Sequence, residues 1–205
     1  RKLVAIEALS RRGKAQAKML DSLRINPNIW PTHAVIDWLG ILHRLPEIPD
    51  KQKKVEEANQ VLRSRLNMQG TRLGFSTETN DYWWWMMVSG DVNAAKLILV
   101  ILNDPAWKED MGRLVNGTLQ RQIKGAWQTT TANVWGSLAI EKFAGKFESL
   151  PVNGITKAEL SGTAPQVYSW KPGSQGLLNF PFGEKPATDA NLRLSHEGSG
   201  APWAT

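Results

Sequence analysis

Histidine, carboxylate and cysteine build most catalytic and metal sites, and this 205-residue chain gives them few useful spacings. It holds three histidines, His33, His43 and His196, and no cysteine. The missing thiol removes disulfides, thiolate metal ligands and a cysteine nucleophile. His33 and His43 fall on one expected helix but ten positions apart, so they do not form a ligand pair. His196 falls where strands are expected and reads as a surface or turn residue. The acid pairs Glu56–Glu57 and Glu109–Asp110 lie in charged helices, where solvation or a helix-dipole role accounts for them. No HExxH, GxSxG or phosphate-loop motif is present. Asp37 and Asp81 lie near two expected helix starts, so a carboxylate-based glycosidase is the enzymatic arrangement left open. That reaction needs two carboxylates at a matched separation. No residue is therefore assigned a catalytic, cofactor-binding or metal role, no cofactor is expected, and the chain is not expected to be an enzyme.

The elements that would position such residues show an internal repeat. "WPTHAVIDW" (Trp30 to Trp38), "FSTETNDYW" (Phe75 to Trp83) and "WQTTTANVW" (Trp127 to Trp135) all read aromatic, any residue, Thr, five residues, Trp. A threonine after an aromatic suits a helix N-cap, its hydroxyl accepting from a free first-turn amide. The aromatic ahead of the cap can pack back onto the helix as a staple. The closing Trp lies about two turns further on. Packing is thus the structural reading of all three copies. The rival is a groove of exposed rings for sugar or peptide, with Trp83–Trp85 its best candidate, because successive helical residues point about 100° apart.

Helical spacing of apolar residues over 2–24, interrupted at Gly13, places helices there. Thr32 is expected to cap a helix to about Leu45, and Asp50 one whose face is Val55, Ala58, Val61, Leu62 and Leu66. "QGTRLG" reads as a turn. Ser76 or Thr77 caps the next helix, Asp91 its continuation, and Asp104-Pro105 a further helix to about Ile123. Thr129 or Thr130 starts the last, which ends near Phe147. One helix of each hairpin is strongly apolar and its mate charged, which predicts side-by-side stacking into an open solenoid or an α/α toroid. After "ESLPVNG" the segments "ITKAELSG", "QVYSWK", "GLLNFPFG" and "ANLRLSHEG" alternate or carry β-formers between Gly and Pro turns. The expected fold class is mainly α: a partial α/α toroid of helical hairpins over 1–149, N-terminally incomplete, then an incomplete β-sandwich segment over 150–205. The start at Arg1 and the end after "APWAT" read as those of a piece of a longer protein.

The net charge is +6, and residues 1–72 hold fourteen basic and seven acidic side chains. The clusters "RRGK" (Arg11 to Lys14) and "KQKK" (Lys51 to Lys54) sit away from the Trp-rich segments. A nucleic-acid surface would interleave bases and aromatics on one face, so these read as a solvated rim and no nucleic-acid partner is expected. No run of about 18 apolar residues marks a membrane span.

"GFSTETNDYWWWMMVSGDVNAAKLILVILNDPAW", followed by "RLVNGTLQRQIKGAWQTTTANVWGSLAIEKF", resembles the bacterial alpha-2-macroglobulin family in the later part of its thioester-type helical domain. The tail from "PVNGITKAEL" to "HEGSGAPWAT" looks like the return of that family's chain into its small β-sandwich. The likeness is strongest over 68–149, weaker over 150–205, and rests on hairpin pattern over 1–67. It implies a large protein of the periplasm, cell envelope or secreted space that traps endopeptidases, in a membrane-anchored context in some settings. A protease cuts a bait segment, the molecule collapses around it, and in many members a Cys–Gln thioester captures it. The family's Cys-x-Glu-Gln run is absent here because the chain has no Cys. The resemblance therefore places any thioester in an upstream part of the same protein, or in a member that has lost it, and no thioester residue is assigned. The alternatives are a Trp-lined carbohydrate- or peptidoglycan-binding domain and an α/α-toroid glycosidase.

Overall fold

The computed structural model describes all residues except 76–86, 172, 175, 181–189 and 203–205. The chain divides into two compact units, Arg1–Lys142 and Phe143–Thr205. The division falls inside a helix rather than between 149 and 150.

In the first unit, helix α1 (Lys2–Arg11) ends before Gly13, whose φ of +63° turns the chain. Two 3-10 turns (Ala17–Leu20 and Pro27–Ile29) lead to α2 (Thr32–Arg44) and α3 (Lys51–Ser64). A short hairpin, β1 (Leu66–Gln69) and β2 (Arg72–Phe75), follows. Then come α4 (Gly90–Ile101), a 3-10 turn at Pro105–Trp107, α5 (Lys108–Leu119) and α6 (Thr130–Phe147).

Helix α2 is apolar nearly all round. Val35, Ile36, Trp38, Leu39, Ile41 and Leu42 are all fully buried, which makes it a central helix. Helix α4 is its counterpart, burying Ala95, Leu97, Ile98 and Ile101. Each such Leu or Ile contributes roughly 1.5–3 kcal/mol by leaving water. Helix α3 buries only Ala58, Val61 and Leu62, so it is an outer, amphipathic helix. The pairs α2–α3 and α4–α5 pack as hairpins, and α2 packs on α1 and α4. Across the outer helices, Trp107 is fully buried and its Nε1 donates to Asn59 Oδ1 at 2.9 Å. The Arg63 guanidinium covers that ring at 3.9 Å and pairs with Asp110.

The third repeat copy is a closed device. Thr129 Oγ1 accepts from the Ala132 amide at 3.1 Å, so it is the cap. The Asn133 amide grips both main-chain groups of Trp127, accepting from N at 3.1 Å and donating to O at 2.7 Å. Trp127 Nε1 donates to Thr118 O at 2.9 Å, and its ring lies against Gly136, where a Cβ would come within 2.4 Å. Here the aromatic before the cap does pack back onto its own helix. The first copy differs. Thr32 is already helical and caps nothing, its Oγ1 instead accepting from Arg65 at 3.2 Å. The second copy, with Asp81 and Trp83–Trp85, lies outside the described residues apart from Phe75.

The expectation of a mainly α, partial α/α toroid is overturned. The described chain is mixed α and β, with six α-helices and two small antiparallel sheets. Two stacked hairpins do not define a ring, and the described part of the link between them contains a β-hairpin packed against α5. The "QGTRLG" turn is thus the tip of paired strands. Gly117 lets that hairpin approach, since a Cβ there would lie 2.3 Å from Leu73 O. The segment expected to belong to an incomplete β-sandwich carries one three-stranded sheet among its described residues.

The second unit contains that sheet, with β3 (Asn153–Leu160) central between β4 (Gln166–Trp170) and β5 (Leu192–Ser199), all antiparallel. The register puts Thr156, Ala158 and Leu160 on one face with Tyr168, Trp170, Leu192 and Leu194. Lys157, Glu159, Arg193 and Glu197 share the other, as strand alternation requires.

Candidate functional site

The strongest concentration of buried charge joins α1, α2, α4 and α6 in the first unit. Asp37, on α2 and 1% exposed, receives a hydrogen bond from Lys96 of α4 at its Oδ1. Its Oδ2 is buried with no hydrogen-bond partner. From α1, buried Glu7 accepts from Arg11 Nε at 2.7 Å and from Arg44 Nη1 at 2.9 Å. Ser10 Oγ donates to Glu7 O at 2.6 Å and accepts from Arg44 at 3.1 Å. Trp135 of α6 offers its ring to both cations, with the Arg11 guanidinium 4.8 Å and the Lys96 ammonium 5.8 Å from the centroid.

Burial pushes the Asp37 carboxyl above its ordinary range; Lys96 works against that push and Glu7 adds to it. One turn earlier, burial holds the His33 imidazole below its ordinary range, with Asp37 opposing and Lys96 reinforcing the effect. Glu7, by contrast, is enclosed by two guanidinium contacts and registers α1 against α2.

The other residues singled out in the sequence are dispersed. His43 Nδ1 lies 3.1 Å from Val100 O, so its N–H donates there, and Nε2 is 3.6 Å from Asp104 Oδ2. His43 thus faces α4's end rather than His33. Glu56 accepts from Gln52 at 3.1 Å and Glu57 from Asn28 at 3.3 Å, both at the surface. Glu109 and Asp110 lie in the first turn of α5, where negative charge suits the helix dipole. Among the described residues no group of three or more His, Cys, Asp or Glu could hold a metal ion. No described helix is long and apolar enough to cross a membrane.

In the second unit His196 lies within strand β5 rather than in a turn, half-buried on the face shared by Thr156, Tyr168 and Trp170. Trp170 Nε1 donates to Thr156 Oγ1 at 2.7 Å, and that oxygen is 2.9 Å from His196 Nδ1. The imidazole tautomer sets which of the two donates in that second bond. A cleft of about 690 Å³ opens over this group between the sheet and residues 176–180. Leu177, Phe180, Leu192 and Leu194 line it.

Sequence reasoning passed over Lys96 and Glu7. The signal for Lys96 was present: it is the lone charge in "AAKLILVIL", as Asp37 is in "AVIDWLGIL", and a lone charge inside an apolar helix needs a partner. Comparison of the chain with protein-family models, with curated proteins and with solved structures returns no match.

Proposed function

We propose that this chain is part of a bacterial alpha-2-macroglobulin-like protease trap, serving as a non-catalytic scaffold and interaction segment in the cell envelope. The observation that carries the reading is the run "WQTTTANVWGSLAIEKF". Its resemblance extends to residues whose types are demanded by one interlocked geometry: the Thr129 cap, the Asn133 grip on Trp127 and the glycine beneath the ring. The burial of Trp38 and Trp127 supports packing rather than ligand contact as the use of the repeated tryptophans. The order of units, helical first and antiparallel sheet second, fits the same reading. Endopeptidases are the partners it names. Covalent capture would need a thioester elsewhere in the same protein, because this chain carries no thiol.

The test uses the full-length protein that contains this chain, mixed with an endopeptidase. Trapping predicts that cleavage of a large protein substrate falls while cleavage of a short chromogenic peptide continues. Equal loss of both activities, or of neither, would sink the reading. Thiol appearance after methylamine then separates covalent from purely steric capture. If trapping fails and the protein is retained on peptidoglycan or polysaccharide, the Trp-lined binder replaces it.

A further inference from the structure

The geometry at Asp37 points to a proton-operated device that does not depend on the trapping reading. We propose that Asp37 is a latch at the junction of α1, α2 and α4: ionised, its uncovered second oxygen loosens the junction, and protonated it lets the three helices close. The carboxyl is 1% exposed, and Lys96 covers only Oδ1. A charged oxygen without a donor in such a place carries a desolvation penalty that neutralisation removes. Lys96 tolerates the change, because its side chain is 13% exposed and its ammonium keeps the Trp135 face at 5.8 Å.

Among the groups on the packed elements, Lys96, Glu7 and His33 act on the carboxyl. On α2 itself His33 lies one turn away. Helix α4 brings Lys96, and α1 brings Glu7, whose charge is met by Arg11 and Arg44. At the end of α3, Arg65 turns to Thr32 Oγ1 and to the carbonyl of Trp30 at 2.8 Å. Helix α6 brings the Trp135 ring. Because burial raises the carboxyl's proton affinity in the folded state, its contribution is complete below the ordinary value of 3.8. It is lost as pH rises through the higher, folded value.

Hydrogen exchange on the full chain reads this directly, from about pH 4 to about pH 7, with labelling times scaled to the intrinsic chemical rate. Peptides from 32–44 and 90–101 are expected to lose protection as pH rises, by roughly tenfold. Asp37→Asn is expected to abolish that loss of protection and leave only the opposite trend set by His33. His33→Gln, which removes the imidazole's opposing effect, is expected to steepen the wild-type loss. A wild-type pH profile retained in Asp37→Asn would overturn the latch. Should that variant fail to fold, the wild-type carboxyl is followed by carbon NMR. A titration midpoint at or below the free-aspartate value would overturn the proposal, and one above it would support it.

Discussion

Charging His33 costs the fold, and the sign of that cost can be worked out from its surroundings. Burial lowers its proton affinity in the folded state relative to the ordinary 6.5. Its contribution is therefore present above that pH and lost as pH falls toward the folded value. His33→Gln is expected to gain stability over the wild type as pH falls through that window, which steepens the trend set by Asp37, and urea midpoints measured there check it. An unchanged acid limb would mean that the imidazole is solvated. Asp37 titrates with the opposite sign one helical turn on, so the two side chains partly cancel in the wild type. The cap rule read from single residues succeeded at Thr129 and Asp104 but not at Thr32, Asp50 or Asp91. Thr129 caps its helix as expected because the cap bond spans three residues. Reading single residues failed at the ionic junction, because Glu7, Asp37, Lys96 and Trp135 come from four helices and meet only through tertiary packing.

At the scale of elements, α4 and the β1–β2 hairpin show how nearby residues compete for one role. Asp91 is the stronger candidate cap by charge, yet Ser89 takes the position and accepts from the Val92 amide at 3.2 Å. Asp91 sits in the first turn and pairs with Arg121 instead. Ser89→Ala is expected to destabilise the chain by about 1 kcal/mol, measured by chemical denaturation. Gly117→Ala should be worse, because its methyl group meets the Leu73 carbonyl on a backbone that cannot rotate away. A loss of roughly 2 kcal/mol or more is expected, with broadened signals from β1 and β2. A neutral result would mean that the hairpin does not rest on α5. The helices were legible because apolar residues recur at helical spacing over many turns. The hairpin was not, because strands of four residues leave too short a pattern and Gly70 reads equally well as an isolated turn. In the tail, alternation revealed β3, β4 and β5. "GLLNFPFG" misled, since its described part, 176–180, forms no strand.

For the whole molecule, the repeat foretold which helices are inner and which outer, but not how far they would curve. Curvature depends on the angle between neighbouring hairpins, which arises from packing rather than from pattern. The units Arg1–Lys142 and Phe143–Thr205 each have buried residues of their own. Ala158 is 1% exposed at the centre of the sheet, so Ala158→Asp places an unpaired charge there, at a cost of roughly 3 kcal/mol or more. It is expected to erase amide protection in β3 and β5 while the helical circular-dichroism midpoint stays in place. An equal shift of that midpoint would show one cooperative block instead. The sheet also holds a constraint of a historical kind. Gly154 and Gly198 face each other across β3 and β5 at φ of +108° and +149°. A Cβ on the first would meet Glu197 O at 2.1 Å, and one on the second Asn153 O at 1.9 Å. A side chain at either position forces the strands to shift, and changing both compounds the collision. Any lineage or engineered library that keeps this strand pairing must inherit the two glycines together, and one that loses either must first find another way to bring the strands side by side.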